Sequence, residues 1–267
     1  ALDIQHGIPD MGISSVRAGT YEDCKDCDLI IITAGRNRKR GESRLDLIAG
    51  NSAILKDVVG QMKPYYTKGV IMIVSNPVDV LVYQCTKWMG LPNGMVFGTG
   101  CILDSSRFTR LIADYTHLNT EVVKATIVGE HGDAQIPIWS RASIAGVPLQ
   151  EYCENVGLKW GEEIRKEISD KVREMGATII KGKGRTHYGI ATCVCYLAEA
   201  VLNQRLTIAP VSTMFQGEYG IEDVCLSVPS IIGVNGVEKR LEERWAEEEF
   251  QAFRQAADKM KKVLKTL

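Results

Sequence analysis

Two short apolar runs constrain this chain more than anything else in it. Asp28-Leu-Ile-Ile-Ile-Thr33 ends at Ala34-Gly35, and Gly69-Val-Ile-Met-Ile-Val-Ser75 ends at Asn76-Pro77. Each has strand length and no polar alternation, the pattern of a strand buried on both faces of a sheet. Between them Ile54, Leu55, Val58, Val59 and Met62 form one helical face that stops at Pro64. A helix from Val78 to Met89 follows the second run, and a short strand, Met95 to Gly98, follows Pro92-Asn93-Gly94. Strand–helix–strand–helix–strand with short connections implies right-handed crossovers and a parallel sheet. Ligands of such sheets bind beyond the carboxyl ends of the strands, here Thr33–Gly35, Ser75–Pro77 and Thr99–Gly100.

The remainder is mixed. Asp104 to Tyr115 reads as a helix, Val122 to Val128 as a strand, and long helices are expected from about Leu158 to Ile180 and from Thr186 to Leu202. Alternation from Leu206 to Thr213 and the stretch Asp223 to Val228 suggest antiparallel strands. Phe250, Phe253, Ala257, Met260 and Leu264 mark an amphipathic closing helix. With no repeat and no low-complexity linker, the expected division is 1–98 for the parallel region and 99–267 for an α+β region, sharing an extensive interface.

Charge excludes some functions. The 32 Lys and Arg residues nearly balance 33 Asp and Glu, and no basic stripe stands out, which argues against nucleic acid as a partner. No run reaches the roughly 18 apolar residues of a membrane span, so no membrane association is expected. The opening Ala1–His6 lacks the pattern of a signal peptide and reads like the middle of a helix. Eight cysteines without a leader fit a reducing cytoplasm better than a disulfide framework. Cys24-Lys-Asp-Cys27 has the spacing of half a zinc site or of a redox pair. With no second pair nearby, plain reduced cysteines near a surface turn are expected, and no metal. Cys193 and Cys195, in an apolar helical run, are read as core residues.

Three constellations carry chemistry. His131 lies in Gly129-Glu-His-Gly-Asp133, directly after a strand, and the flanking glycines leave room for the ring and for a substrate. Asp104 and Arg107 stand at i and i+3 of a helix. Taken alone they are an ordinary helical ion pair. Taken with a histidine, the carboxylate would orient the imidazole and the guanidinium would clamp a substrate carboxylate. The loop from Gly35 to Arg44 carries five basic residues over the expected crevice, either a solvated face or a lid delivering arginine.

The ordered set DLIIITAG, RGESRLDL, IVSNPVD, GTGCILDSSRF, VGEHGD, GRTHYGIA and EYGIEDVCLSVP resembles the L-lactate/malate dehydrogenase family along essentially the whole chain. The resemblance implies a Rossmann-type parallel sheet followed by an α+β catalytic domain. It implies hydride transfer between C2 of a 2-hydroxy acid and NAD. His131 then matches the catalytic proton acceptor and donor, Asp104 its orienting carboxylate, and Arg107 the group that binds the substrate C1 carboxylate. Arg44 matches the loop arginine that polarises the reacting carbonyl. Asn76, before a proline that the family holds in cis, matches the residue bonding the substrate oxygen and the nicotinamide ribose. Thr186 corresponds to a substrate-pocket position. Thr33, Ala34, Gly35, Val74, Asn76 and Ile190 correspond to cofactor-binding positions. A homotetramer or homodimer is implied as well.

Substrate choice stays open at this level. Arg38 falls six residues before Arg44, where malate enzymes of the family use arginine and lactate enzymes glutamine, whereas Thr186 is lactate-like. Overall resemblance favours L-lactate slightly, with malate as the alternative. A non-catalytic oligomeric protein on the same fold is a rival of another class. Activation by fructose 1,6-bisphosphate is not expected from Thr109, which stands where the family has a basic residue, although Lys124 could still contribute charge. Against the family pattern, the opening strand, its Gly-rich turn and the ribose-binding acid are missing, and no GxGxxG occurs. The resemblance therefore implies an N-terminally truncated dehydrogenase that binds NADH poorly as it stands.

Overall fold

The computed structural model describes residues 1–8, 15–37 and 44–267, without the Arg44 side chain. Arg38 and most of the basic loop therefore lie outside the described residues. Helix α1 (Leu2–Gly7) buries nothing. Strands β1 (Leu29–Ile32), β2 (Val70–Ile73) and β3 (Val96–Gly98) pair in parallel, with α2 (Arg44–Met62) and α3 (Val78–Met89) as the crossovers. Side chains alternate across a strand, and β2 uses both faces. Ile71 and Ile73 pack with Leu55, Val59 and Met62 of α2 and with Leu81 and Val82 of α3. Val70 and Met72 pack on the opposite face with Cys193, Leu197 and Val201 of α7 (Tyr188–Leu202).

The parallel strands do not form a sheet of their own. At Gly98, β3 pairs antiparallel with Ser212 of β9 (Thr207–Gln216), and β9 pairs along its length with β10 (Glu222–Gly233). Beyond β10 lie β5 (Ile127–Gly129) and β6 (Gln135–Pro137), and β11 (Gly236–Arg240) also pairs with β10. Among the described residues this makes one sheet of eight strands, continuous across the sequence boundary expected near residue 98. Helix α4 (Ile102–Thr116) packs with α6 (Glu162–Lys183) beside a small sheet of β4 (Val123–Lys124), β7 (Ser143–Ile144) and β8 (Val147–Pro148), which leads into α5 (Leu149–Asn155). Phe108 of α4 meets Trp139 edge-on at 4.5 Å. The closing helix α8 (Glu247–Leu264) lays Phe253, Ala256, Ala257 and Met260 on β10 and β5.

Three expectations are corrected. The first apolar run is not buried on both faces: β1 pairs only with β2 among the described residues, and Ile31 is 40 % exposed. An edge strand leaves apolar side chains at the rim that a central strand would cover. The strand expected over Val122 to Val128 is two, β4 and β5, in different sheets, because the chain turns from one sheet to the other at Ala125 and Thr126. Cys195 is exposed while Cys193 is buried. Residues two apart on a helix lie about 200° apart around its axis, so one of the pair must face outward.

Candidate active site

His131 is carried at the tip of the β5–β6 hairpin, whose last pair is Gly129 opposite Gln135. Gly129 turns the chain there with φ +91°, a conformation that side chains rarely adopt. The hairpin tip meets the first turn of α4. Asp104, with a side chain 4 % exposed, accepts a hydrogen bond from His131 Nδ1 at 2.6 Å through Oδ2. Its other oxygen, Oδ1, accepts from Arg107 Nη1 at 3.1 Å. The imidazole is 26 % exposed and Arg107 12 %, so the carboxylate is sealed behind two groups that both reach the molecular surface.

The electrostatics follow from that burial. Desolvation pushes the Asp104 carboxyl up, but the imidazole and the Arg107 guanidinium more than offset it and hold the acid below its ordinary range. Burial pushes His131 down, and the charge and hydrogen bond of Asp104, with a further contribution from Asp79, carry it above its ordinary value of 6.5. An imidazole whose Nδ1–H is committed to a carboxylate presents Nε2 to the cleft, the form suited to exchanging a proton with a hydroxyl near neutrality.

The strand-end loops meet as the parallel sheet requires. Ser75 Oγ donates to the Ala34 carbonyl at 2.6 Å, and the backbone N–H of Val74 donates to Ile32 at 2.9 Å. Asn76 precedes Pro77 through a cis peptide bond. Its side-chain oxygen accepts from the Val78 N–H at 3.3 Å, at the start of α3. Thr33, Ala34 and Gly35 are exposed at the end of a strand, with Val74 half-buried beside them. An exposed loop backbone at the carboxyl ends of parallel strands, braced from beneath, lets a dinucleotide approach closely, so these residues fit the part of an NAD site that the strand ends supply. Thr186 lies exposed just before α7. Three residues on, a Cβ at Gly189 would stand 3.2 Å from Leu103, which places the start of α7 against α4 next to Asp104. Ile190 is half-buried on the α7 face that packs against the sheet. The structure therefore brings His131, Asp104 and Arg107 together and joins the first two strand-end loops. Of Arg44 it places only the backbone, at the start of α2.

Two braces carry no assigned role in the motif reading, although Asp79 closes the quoted run IVSNPVD. Asn51 of α2, 2 % exposed, accepts from Arg36 N at 2.9 Å and donates to the carbonyls of Arg36 at 3.1 Å and Asn76 at 2.6 Å. It ties the loop after β1 to the one after β2. Asp79, also 2 % exposed, reaches His131 from α3. Each is a polar residue inside an apolar helical face, and that was the available signal. Cys24 and Cys27 are free and half-buried, and the described residues contain no cluster of three metal-ligating side chains. No helix among them is long and apolar enough to cross a membrane.

Parallel strands whose end loops lie beside a buried carboxylate paired with an imidazole and a guanidinium are the architecture of a nicotinamide-dependent dehydrogenase. The family model described as lactate/malate dehydrogenase, NAD binding domain, matches residues 1–98, and that of the alpha/beta C-terminal domain matches 101–267. This chain belongs to the lactate/malate dehydrogenase family. It is 42 % identical over 267 residues to an L-lactate dehydrogenase of Thermoanaerobacterium saccharolyticum, covering 100 % of the chain and 86 % of that protein. To an L-lactate dehydrogenase of Acetivibrio thermocellus it is 38 % identical, covering 100 % and 84 %. The ligand-bound crystal structure of the minor L-lactate dehydrogenase from Enterococcus mundtii superposes with a TM-score of 0.94 at 37 % identity, covering 100 % of this chain and 85 % of that one.

Proposed function

We propose that this chain is an NAD-dependent oxidoreductase interconverting L-lactate and pyruvate. The observation that carries the chemistry is the buried Asp104 carboxylate held between His131 Nδ1 at 2.6 Å and Arg107 Nη1 at 3.1 Å. The choice of acid follows the relatives, which are L-lactate dehydrogenases rather than malate enzymes. The malate alternative rested on Arg38 alone.

When bound, NAD supplies the hydride acceptor, and in the reverse direction the donor. His131 Nε2 takes the hydroxyl proton of lactate as C2 is oxidised and returns it to the carbonyl oxygen of pyruvate. Asp104 fixes the tautomer and stabilises the imidazolium without taking the proton itself. Arg107 keeps guanidinium N–H groups beyond the one given to Asp104, and these bind the substrate carboxylate as a charge-assisted pair. Arg44 is assigned to the reacting oxygen and Thr186 to the substrate pocket. Thr33, Ala34, Gly35, Val74, Asn76 and Ile190 are assigned to the cofactor. Residues 1–98 serve as the NAD-binding region and 99–267 as the substrate region. Exposed apolar residues on α6 and α7, among them Ile180, Tyr196 and Tyr188 at 78 % exposure, support a homo-oligomer. We place the protein in the cytoplasm on its eight cysteines, all free.

Steady-state kinetics with NADH and either pyruvate or oxaloacetate test the assignment. The expected result is a higher kcat/KM for pyruvate. Preference for oxaloacetate, abolished by Arg38→Gln, would overturn the choice of lactate. No turnover of any 2-oxo acid at saturating NADH would overturn the catalytic reading.

A further inference from the structure

Asp79 sits in the first turn of α3, two residues after the cis Asn76–Pro77 bond, with Val78, Val80, Leu81 and Val82 around it in sequence. All five are buried, and Asp79 itself is 2 % exposed. A carboxylate at that depth persists only where its oxygens are met by donors. Its Oδ2 accepts from the backbone N–H of His131 at 2.8 Å, and its Oδ1 accepts from Ser212 Oγ at 2.6 Å. Ser212 lies on β9 at the one position where β9 pairs with β3, and it also pairs with Ser227 of β10. One carboxylate thus joins α3, the centre of the main sheet and the tip of the hairpin that carries the imidazole.

We propose that Asp79 is a positioning residue for His131, locking the peptide of the histidine to α3 and β9 through a second buried carboxylate. The proposal rests on the reading of His131 as the acid–base group. Asp104 holds the ring from α4, and Asp79 holds the backbone from α3. The helix that begins at Asn76–Pro77 and the hairpin tip are therefore set against each other by a direct bond. A misplacement of either by an ångström would separate the proton acceptor from the cofactor side of the cleft.

Besides Asp79, the charged groups facing His131 among the described residues are Asp104 and Arg107 from α4. Its own loop adds Glu130 and Asp133, both engaged in interactions of their own. Asp104 and Asp79 favour the imidazolium, whereas burial and Arg107 oppose it.

Asp79→Asn separates the charge from the bond. The amide oxygen still accepts from His131 N–H, and the amide nitrogen donates to Ser212 Oγ, which turns to accept. Loss of the charge should lower the His131 pKa, and pyruvate reduction needs the imidazolium. The alkaline limb of kcat/KM for pyruvate is therefore expected to move to lower pH. Activity above the limb would fall about 3–10-fold while the acid plateau is kept, since one pKa unit is tenfold in protonation. Ser212→Ala retains the charge and is expected to leave the limb in place. NMR titration of the His131 imidazole reads the same shift without turnover, so it tests Asp79 even if no 2-oxo acid proves to be a substrate. An unmoved His131 titration in Asp79→Asn, or an equal loss of rate at every pH, would overturn the proposal. So would an equal shift in Ser212→Ala. Should the Asn variant not fold, the wild type still decides: the His131 amide proton is expected downfield and slow to exchange, and rapid exchange would overturn the assignment.

Discussion

The acid–base side of the cleft and the flank formed by β1, α6 and α7 are built on opposite terms. Around His131, α3 buries seven of its twelve residues, β9 and β10 meet at fully buried positions, and two carboxylates 2–4 % exposed hold one histidine from two directions. On the flank, the 22-residue α6 buries only Ile168 and Val172, Ile31 is exposed on β1, and Tyr188 opens α7 almost entirely in solvent. His131, the proposed proton-transfer group, is preorganised by cores that belong to the whole sheet. Thr186, assigned to the substrate pocket, stands exposed before α7 on a segment with few such ties. A proton-transfer group must hold its geometry before substrate arrives, whereas capture must admit substrate first. The two regions divide the work accordingly.

The contrast is broken most severely at the ring itself. His131→Asn removes the proton donor and is expected to lower kcat for pyruvate reduction by about 10²–10⁴-fold. NADH affinity, measured by fluorescence titration, should stay nearly constant; a loss of less than tenfold in kcat would mean that another group moves the proton. Phe108→Ala tests the support beneath it. This ring is fully buried against Trp139 on the helix that carries Asp104, and its removal should cost about 3–5 kcal/mol in chemical denaturation. A cost below about 1 kcal/mol would show that the site does not depend on its core. Arg107→Lys keeps the charge and loses the planar fork, so kcat/KM for pyruvate should fall roughly 10–100-fold through KM more than kcat.

The pH profile of the wild type sharpens the same picture. With His131 raised above 6.5 by Asp104, pyruvate reduction should be flat on the acid side and decline as pH rises through the folded-state value. Lactate oxidation, which needs the neutral ring, should rise through that same value. Limbs that fail to mirror each other would remove His131 from the proton path. The smallest effect belongs to the flank. Tyr188→Ser should change monomer stability by less than about 0.5 kcal/mol, and its consequence should appear in sedimentation as weaker self-association.

Much of this arrangement is legible in the residues alone. The apolar runs before Ala34 and Ser75, the helix of Val78–Met89 and the i, i+3 spacing of Asp104 and Arg107 all obey short-range periodicity. Glycines around His131 mark a tip with room for chemistry. Other features leave no local trace. Nothing near Val122 to Val128 announces that its two halves enter different sheets, since each half alone satisfies strand propensity. The exposure of β1 is decided by which strands stand beside it, and apolar content cannot report a neighbour.

What the sequence determined by itself is the alternation of strands and helices, the family, and the candidate groups proposed to meet substrate and cofactor. These depend on side-chain chemistry and on spacings of a few residues. What the tertiary structure alone decided is which polar residues inside apolar helices became braces. Asp79 lies 52 positions from His131 and 133 from Ser212, and Asn51 lies 25 from Asn76. A buried polar group must find its partner wherever packing brings one within hydrogen-bond reach, and that place is set by the closed sheet rather than by the order of residues.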